Sequence, residues 1–384
     1  ISPGSMPARS TTLAEEGVLF STIPLVTKGQ FQEDAIRTLL KTAEYPSRNT
    51  DQNIADLKAQ VAANHRGLSA LQQMCDQFSI NTVDAYMQHV QDYAEACVRR
   101  VIAKLKDGYF YYEMDNGSHI SVTITIDKKQ RRARVDFSGT SQQQHNNFNA
   151  PKAVTYAAVL YAFRCLIDDD IPLNEGCLKA IDIIIPEGSM LAPTYPAAVV
   201  AGNVETSQAV TDALFGALGI LAGSQGTMNN LTFGNNEHQY YETLCGGAGA
   251  GPTFHGASAV HTHMTNSRLT DAEVLESRFP VQVERFEIRK NSGGQGRYSG
   301  GDGVRRDILF LENMTLSLLS NRRKVPPFAL AGGKAGALGK SWIQKADGTI
   351  QTLAGTDEVK VGPGDRFVIE TPGGGGFGES DPKL

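Results

Sequence analysis

Two apolar stripes between residues 50 and 105 constrain the fold of this chain more than any other feature. In the first stripe, residues recur at alternating intervals of three and four: Ile54, Leu57, Val61, Asn64, Leu68, Leu71, Cys75 and Phe78. The second opens at Asn81 or Thr82 and continues through Val83, Met87, Val90, Ala94, Cys97, Val101 and Leu105. This spacing places an apolar stripe along one side of each of two helices. We therefore predict an antiparallel helical hairpin over residues 49–106, with the stripe as core and a role in docking or oligomerisation.

A change of period after this hairpin predicts a sheet. Apolar residues alternate with polar ones after the turn sequence DNG at 115–117, and a returning strand follows: Ile120, Val122, Ile124 and Ile126, then Val135 and Phe137. Helices are expected at 153–166 and 210–221, the second capped by Thr206 or Ser207, with a buried strand at 180–185 between them. We assign residues 107–282 to an α/β core that holds a candidate active-site pocket.

Short strands separated by glycine turns fill the chain from about Val281 onward, which predicts a β subdomain over residues 283–384. Residues 1–48 lack a sustained period, so we predict an extended N-terminal segment of a truncated larger domain, with one short helix near 33–41. The predicted fold class is α+β. It comprises a long helical hairpin, a central mixed α/β region with a polar pocket, and a Gly-rich β C-terminal subdomain.

Composition and charge exclude several classes of function. The net charge of −5 gives no basic footprint for nucleic acid, and no apolar run is long enough to span a membrane. The five scattered cysteines favour reduced thiols in a cytoplasmic protein. The sequence GGKAGALGKS at 332–341 is similar to a phosphate-binding loop, but its first and second key glycines, Gly333 and Gly339, are six residues apart instead of five. We therefore expect no nucleotide site there.

The stretch 224–268 is where we expect the chemistry. It holds four of the eight histidines, five asparagines and the run GGAGAG at 246–251. Amides and imidazoles are costly to bury without hydrogen bonds, and glycines let the backbone approach a ligand, so this density favours a polar pocket. A long surface loop is the alternative. Apolar residues interleave with the polar ones as they do in half-buried strands: Leu231, Phe233, Tyr240, Tyr241 and Leu244.

His261 and His263 are the candidate catalytic pair in this stretch. If they lie on a strand, residues two apart point to the same face and both imidazoles reach one metal or one substrate group. His255 is close in the sequence. A metal site normally has a clearer third ligand, so metal ligation, pocket lining and structural hydrogen bonding all stay open.

Two further groups precede predicted helices. Asn146, Asn147 and Asn149 come just before the helix that starts after Pro151, where they either cap it or contact a ligand. Asn203 and Glu205 lie before the next helix. Glu205 is a candidate general base or metal ligand, and electrostatic capping of the helix is the alternative.

Many ordered motifs make the whole chain similar to the hydantoinase B/5-oxoprolinase family. They are ISPGSMP, LAEEGV, RNTDQNIADLKAQVAAN, VDFSGTS, NNFNAPKAVTYA, IPLNEGCL, GNVETSQ, GTMNNLTFGN, YYETLCGGAGAGPTFHG, HTHMTNSRLTDAEVLESRFPV, GGQGRYSGGDGVRRD and TPGGGGFG. The resemblance implies an ATP-dependent cyclic amide hydrolase. The sequences IPLNEGC and GGAGAGPTFHG are most similar to the corresponding segments of ATP-dependent 5-oxoprolinases.

The same resemblance implies cofactors and partners. In that family a hydantoinase A-like half or subunit with an actin-like ATPase fold binds ATP and Mg. A divalent metal is held mainly by His/Asp motifs upstream of the ISPGSMP sequence, so the metal ligands of this chain are unknown. The resemblance implies that this chain alone is inactive and that the complete enzyme is a homo-oligomer.

We therefore predict conversion of 5-oxo-L-proline to L-glutamate with consumption of ATP, with the ATPase half as partner. The alternatives are the B subunit of an N-methylhydantoinase or of an acetone- or acetophenone-type carboxylase, and a non-catalytic scaffold that docks the ATPase half through the hairpin. The candidate catalytic residues are His261, His263 and Glu205. The candidate substrate-binding residues are Asn146, Asn147, Asn149, Asn203, Asn229, Asn230 and His255.

Overall fold

The computed structural model describes residues 6–380, and its N-terminal part is a small helical assembly. A two-stranded ribbon, β1 (Val26–Thr27) and β2 (Gln30–Phe31), precedes helix α1 (Glu33–Thr42). Helices α2 (Thr50–Phe78) and α3 (Ile80–Ile102) follow and meet at a single residue. The short first helix and the two long helices are therefore confirmed.

The caps of the long helices explain where they begin. The Asn49 side chain accepts a hydrogen bond from the Gln52 N–H at the start of α2, and the Ser79 hydroxyl does the same for Thr82 in α3. Ser79 has a φ of 70°, which ends α2 and starts α3 within one residue.

The prediction that the apolar stripe is buried is wrong near the junction of α2 and α3. At the start of α2, Ile54 is 2% exposed and packs with Ile36 and Leu40 of α1. Farther along, Leu71 and Met74 are 42% and 46% exposed. The difference arises because α1 covers only the beginning of α2. Near the junction an apolar cavity of about 770 Å³ is lined by Met74, Phe78, Thr82, Val83, Tyr86, Met87, Val90, Gln91 and Asn174.

The second half of α3 packs on the α/β core. The first four-stranded sheet has the order β3-β4-β5-β6, in which β5 and β6 are parallel and the other neighbours antiparallel. Its strands are β3 (Gly108–Glu113), β4 (His119–Asp127), β5 (Arg132–Asp136) and β6 (Ile181–Ile184), with helix α4 (Lys152–Cys165) before β6 and α5 (Ser207–Leu218) after it. Both predicted helices and the strand at 180–185 are confirmed to within a few residues.

Helix α5 lies directly against β3. A Cβ on Gly108 would meet the Ala217 carbonyl oxygen at 1.9 Å, so this contact requires glycine. The helix is preceded by a π-helical turn over residues 202–206. Thr206 is the residue before α5, as expected, but its hydroxyl donates to the Phe148 carbonyl oxygen and does not cap the helix. All but the last residue of α5 are buried.

Two further sheets share the second core, and the β-rich character expected from about residue 281 is confirmed. One has the order β14-β11-β7-β8 and the other β13-β12-β15-β10-β9, all antiparallel. Strands from both sides of residue 282 therefore share one sheet. The elements are β7 (Asn230–Gly234), β8 (Gln239–Glu242), α6 (Ala272–Arg278), β9 (Val281–Arg289), β10 (Gly303–Phe310), β11 (Met314–Leu319), β12 (Lys340–Gln344), β13 (Ile350–Thr352), β14 (Thr356–Val361) and β15 (Arg366–Glu370).

Four consecutive glycines near the C-terminus connect the β-rich half internally. The N–H groups of Gly373, Gly374, Gly375 and Gly376 donate to the carbonyl oxygens of Ala337, Gly301, Gly223 and Lys334 respectively, which lie in three different segments. A Cβ on Gly374 would meet the Ala248 carbonyl oxygen at 1.9 Å. The glycine run is therefore needed because backbone packs against backbone on several sides.

Neither a disulfide nor a membrane-spanning helix contributes to this architecture. All five cysteines are free thiols. Within residues 6–380, no helix combines the length and the apolar character needed to cross a bilayer.

Replacing an apolar side chain by alanine should affect stability differently at the two ends of the α2 stripe. We expect Ile54→Ala to lower the free energy of unfolding by about 2 kcal/mol, because it empties a buried position. Leu71→Ala should change it by less than about 0.5 kcal/mol, because that side chain is already in water. Urea denaturation followed by circular dichroism measures both variants. Equal losses of unfolding free energy in the two variants would contradict the exposure of α2 around Leu71.

Two glycine substitutions should change the folding stability in opposite directions. Gly374→Ala forces backbone apart and should abolish cooperative unfolding or lower the unfolding temperature strongly. A methyl group added at Gly67 in α2 would have nothing within 4 Å of it, so Gly67→Ala should stabilise the helix by about 1 kcal/mol. Thermal denaturation measures both. A Gly374→Ala protein with the parent's unfolding temperature would refute close backbone packing at the glycine run.

Candidate functional site

A buried polar face of helix α5 and its π-helical turn organises the candidate site. Glu205, Gln208 and Asp212 are three and four residues apart, so they lie on one side of the helical segment. All three are at most 1% exposed. Each is hydrogen-bonded to residues of the stretch 224–268, which includes strand β7. The polar stretch that the sequence singled out therefore packs on this helix face.

Glu205 is held by three donors on one oxygen. Its Oε1 accepts from the Thr227 hydroxyl at 2.9 Å, the Met228 N–H at 3.0 Å and the Asn230 side-chain amide at 2.8 Å. Its Oε2 is buried and has no hydrogen-bond partner among residues 6–380. The carboxyl group is therefore oriented firmly and keeps one oxygen available.

The surroundings favour the neutral form of this acid. Burial raises the pKa of Glu205 to about 8, against the hydrogen bonds and the nearby Arg323 charge, which lower it. At pH 7 the group is thus largely protonated and can give up a proton close to neutrality. Groups whose pKa lies near the working pH are suited to acid–base catalysis.

Asn229 and Asn230 connect Glu205 to Arg323. The Arg323 Nη2 donates to the Asn229 Oδ1 at 2.9 Å, while the Asn229 amide donates to the Gln225 Oε1 at 2.9 Å. Asn229 adopts a φ of 46°, in the left-handed region of backbone conformation. Burial lowers the pKa of Arg323 to about 10. The sequence-predicted residues Glu205, Asn229 and Asn230 are thus brought together.

Asp212 and His263 form a second buried pair on the same helix face. The His263 Nε2 lies 3.2 Å from the Asp212 Oδ1, and their side chains are 6% and 1% exposed. The Tyr112 hydroxyl donates to the other Asp212 oxygen at 3.4 Å, and burial raises the pKa of that phenol. A carboxylate held against one imidazole nitrogen fixes the ring and leaves the other nitrogen for chemistry.

His261 does not share a strand with His263. Residues 261–263 are irregular and end in a turn in which His263 has a φ of 48°, so the expected alternation on a strand is wrong. Between the histidines, the Thr262 hydroxyl donates to the Gln208 Oε1 at 3.1 Å. Both ring nitrogens of His261 are buried without a hydrogen-bond partner in the described part of the chain, and burial lowers the pKa of the ring. The ring is therefore neutral at pH 7 with a basic nitrogen unoccupied.

These side chains do not fit a metal site. Across residues 6–380, no group of three or more His, Cys, Asp or Glu side chains converges so as to hold a metal ion. His263 is engaged by Asp212, and Glu205 Oε1 by three donors.

The asparagines before α4 hold backbone together. Asn147 donates to the carbonyl oxygens of Pro7 and Ala8, and Asn149 donates to three carbonyl oxygens of nearby loops. Asn146 accepts from the Phe148 N–H. Their role in substrate binding stays a prediction, since these bonds occupy the amides of Asn147 and Asn149 with structural partners.

Two further candidates lie at the surface, apart from the Glu205 network. Asn203 is exposed on the π-helical turn, and its carbonyl oxygen accepts from Ser207. His255 is exposed, packs beside Tyr298 and accepts from the Ser299 N–H at 3.0 Å. Neither is in hydrogen-bond contact with Glu205, Asp212 or Arg323.

Sequence reasoning missed Gln208, Asp212 and Arg323. The first two carried a signal, because polar residues at intervals of three and four from Glu205 interrupt an otherwise apolar helix. Arg323 carried none, since it follows β11 almost a hundred residues beyond Asn229 and the sequence gives no pairing between them.

The fold matches that of a solved ATP-dependent enzyme. The crystal structure of ATP-dependent caprolactamase from Pseudomonas jessenii superposes with a TM-score of 0.82 at 23% sequence identity, covering 98% of this chain and 69% of that chain. At this identity the likeness concerns the fold alone. It confirms the mixed α and β architecture expected from the sequence.

The chain belongs to the hydantoinase B/oxoprolinase family, whose model matches residues 1–380. It is 44% identical to a 5-oxoprolinase of Dictyostelium discoideum over all of this chain, and 45% identical to 5-oxoprolinase 1 of Arabidopsis thaliana over 99% of it. The chain spans about a third of these relatives' length, 31% and 32% respectively. The resemblance inferred from the sequence motifs is confirmed.

Glu205 should make stability fall as pH rises. A carboxyl whose pKa is raised on folding from 4.5 to about 8 binds more protons when folded than when unfolded between those values. Its contribution is complete below pH 4.5 and is lost as pH rises through about 8, at up to about 1.4 kcal/mol per pH unit. Glu205→Gln should remove this slope, whereas Glu237→Gln, at an exposed site, should retain it.

The measurement is the urea midpoint of each protein at intervals from pH 5 to pH 8.5. Identical pH profiles for the parent and Glu205→Gln would contradict a buried, protonated Glu205.

Proposed function

We propose that this chain is the hydantoinase B-like part of an ATP-dependent cyclic amidohydrolase that converts 5-oxo-L-proline to L-glutamate, with ATP consumed to ADP and phosphate. The observation that carries the proposal is Glu205, a buried carboxyl with a pKa of about 8 and one unpartnered oxygen, in a chain 44% identical to a 5-oxoprolinase. The named activity of the relatives supplies the substrate, and the buried acid supplies a group suited to the chemistry.

Ring opening of a lactam needs help at two atoms. The carbonyl carbon of an unstrained amide is a poor electrophile. Phosphorylation of the amide oxygen by ATP makes this carbon more electrophilic. The ring nitrogen must gain a proton when its bond to carbon breaks, because an amide anion is a poor leaving group. Opening of the hydrated, phosphorylated ring gives an acyl phosphate, and a second water releases phosphate from it to leave the new carboxylate. General acid catalysis of such a step contributes about 10²- to 10⁴-fold to the rate.

We assign the proton to Glu205 and the activation of water to the histidines. Thr227, Met228 and Asn230 hold one oxygen of Glu205, so Oε2 is the atom that exchanges the proton. Asp212 fixes the ring of His263, and His261 carries an unoccupied basic nitrogen. These roles rest on hydrogen bonding and burial among the chain's own residues.

ATP and Mg are assigned to a hydantoinase A-like ATPase half or subunit. The sequence has no phosphate-binding loop, and the caprolactamase that shares the fold is ATP-dependent. A divalent metal would take its main ligands from outside this chain. The active enzyme is then an assembly in which the ATPase part activates the amide and this part completes ring opening.

The test combines this chain with the ATPase half and measures ATP hydrolysis and glutamate release from 5-oxo-L-proline. We expect both activities in the mixture and neither with this chain alone. ATP turnover without glutamate would refute 5-oxo-L-proline as substrate and direct the assay to another cyclic amide or a ketone.

In the active mixture, Glu205→Gln should lower kcat by about 10²- to 10⁴-fold with little change in KM, because it removes the acid and keeps the shape. His261→Ala and His263→Ala should each lower kcat. Glu237→Gln, at an exposed position, is the matched control and should retain activity within about twofold. Full turnover by Glu205→Gln would remove that carboxyl from catalysis.

The exposed apolar face of the hairpin favours docking of the ATPase half as an additional role. Leu71, Met74 and Met87 are each more than 40% exposed, which is unusual for side chains on a helical stripe. Replacing Leu71 and Met74 with glutamate should weaken co-purification with the ATPase half. The same variant should keep its folding stability, since neither residue is buried. Unchanged co-purification would exclude this face as the docking site.

A further inference from the structure

A small cavity at the edge of the five-stranded sheet has two cationic residues, Arg323 and Lys340, in its lining. The cavity has a volume of about 330 Å³, within the usual range of small-molecule sites. It lies along strands β12 and β13, where Trp342 pairs with Thr352. Its lining residues are Arg323, Gly339, Lys340, Ser341, Trp342, Ile350, Thr352 and Leu353.

Arg323 is incompletely paired at this cavity. Among residues 6–380, no carboxylate forms an ion pair with its guanidinium. Nη1 donates to the Asn321 carbonyl oxygen at 2.7 Å and Nη2 to Asn229 at 2.9 Å, while Nε is buried without a partner. Asp115 accepts from the backbone N–H of Arg323 and not from its side chain. A desolvated guanidinium held only by neutral oxygens attracts an anion strongly.

Gly339 leaves room for the Arg323 guanidinium at the cavity wall. A Cβ on Gly339 would lie 2.4 Å from the Arg323 Nη1 and 2.7 Å from its Cζ, so the absence of a side chain there leaves room for the group. The Ser341 hydroxyl is 3.5 Å from Nη2. A ligand at this wall therefore meets fixed donors and a hydroxyl.

Arg305 offers a comparison on the same tryptophan. Its guanidinium lies 5.7 Å from the centre of the Trp342 ring. Unlike Arg323, it is ion-paired, with Nε 2.9 Å and Nη2 3.0 Å from the two oxygens of Asp307. Arg305 beside the indole is thus neutralised by Asp307, whereas Arg323 forms no ion pair with a carboxylate of residues 6–380.

We propose that the cavity beside Arg323 binds a small carboxylate, with the carboxylate on the guanidinium and the rest of the ligand against Trp342, Ile350 and Leu353. This inference rests on and deepens the proposed function, because 5-oxo-L-proline carries a carboxylate on a small ring. The lining combines two cations, Arg323 and Lys340, with the apolar surface of Trp342, Ile350 and Leu353. Such a lining suits an anion that carries an apolar body, and phosphate has no apolar body to place there.

The ligand site is linked to the buried acid. Asn229 accepts from Arg323 and is next to Asn230, which donates to the Glu205 Oε1. A carboxylate on Arg323 would therefore be positioned by the same asparagine pair that orients Glu205.

Trp342 makes the proposal directly testable, because it is the only tryptophan of the chain. The 384-residue chain is titrated with 5-oxo-L-proline while tryptophan fluorescence is recorded. The neutral lactam 2-pyrrolidinone and inorganic phosphate are titrated in parallel at matched ionic strength. We expect saturable binding of 5-oxo-L-proline and at least about tenfold weaker binding of 2-pyrrolidinone, since a lost charged hydrogen bond costs at least a factor of ten. Phosphate should also bind more weakly, because it has no apolar body to contact Trp342, Ile350 and Leu353.

Three variants locate the binding. Arg323→Gln should weaken 5-oxo-L-proline binding by at least about tenfold, whereas Arg305→Gln should bind like the parent. Gly339→Ala keeps the charge and displaces the guanidinium, so it should also weaken binding, which covers the case in which Arg323→Gln fails to fold. Circular dichroism establishes that each variant compared is folded.

Several results would overturn the proposal. They are equal binding of 2-pyrrolidinone, equal or tighter binding of phosphate, loss of binding in Arg305→Gln with retention in Arg323→Gln, and the absence of any saturable response in the folded parent. Glutamate release by the assembled enzyme together with no response at Trp342 would overturn the carboxylate site and leave the proposed function intact.

Discussion

Burial of the Glu205 carboxyl is the constraint on which the rest of the site depends. A buried acid is tolerated only if it is neutral or well bonded, and here Thr227, Met228 and Asn230 supply three donors to one oxygen. Those donors come from the start of β7 and the turn before it, so the carboxyl fixes the polar stretch against α5. The same helix face binds Thr262 through Gln208 and His263 through Asp212. One helix therefore positions most of the candidate chemistry.

The β-rich half of the chain holds the other side of this network. Asn230 also donates to the Leu319 carbonyl oxygen at the end of β11, and Arg323 follows that strand. The glycine run at 373–376 bonds to three segments, one of which follows α5, and this fixes these loops at distances that no side chain would permit. The backbone packing in one part of the molecule thus stabilises the position of the charged groups in another.

The sequence predicted the parts of the fold that local pattern determines. The helices at 33–41, 50–78 and 80–102, the DNG hairpin and the β-rich C-terminal region all follow from period and turn residues. It also directed attention to Glu205, Asn229, Asn230 and His263. It could not predict that the stripe of α2 is exposed near Leu71, because periodicity reports an apolar face and not what covers it. Nor could it pair Arg323 with Asn229, since contacts between residues nearly a hundred positions apart leave no local signal. The irregular backbone at 261–263 was missed because alternating His-Thr-His is equally compatible with a strand and a turn.

The protonation state of Glu205 provides the most direct test of its assignment as the acid. Carbon-13 NMR of the chain with labelled glutamate carboxyls resolves the titration of individual groups, and the Glu205→Gln variant identifies the signal of Glu205. We predict that this carboxyl titrates near pH 8, far above the ordinary value of 4.5. Titration near 4.5 would contradict the assignment, because an acid that is ionised throughout the neutral range cannot hold the proton that ring opening requires.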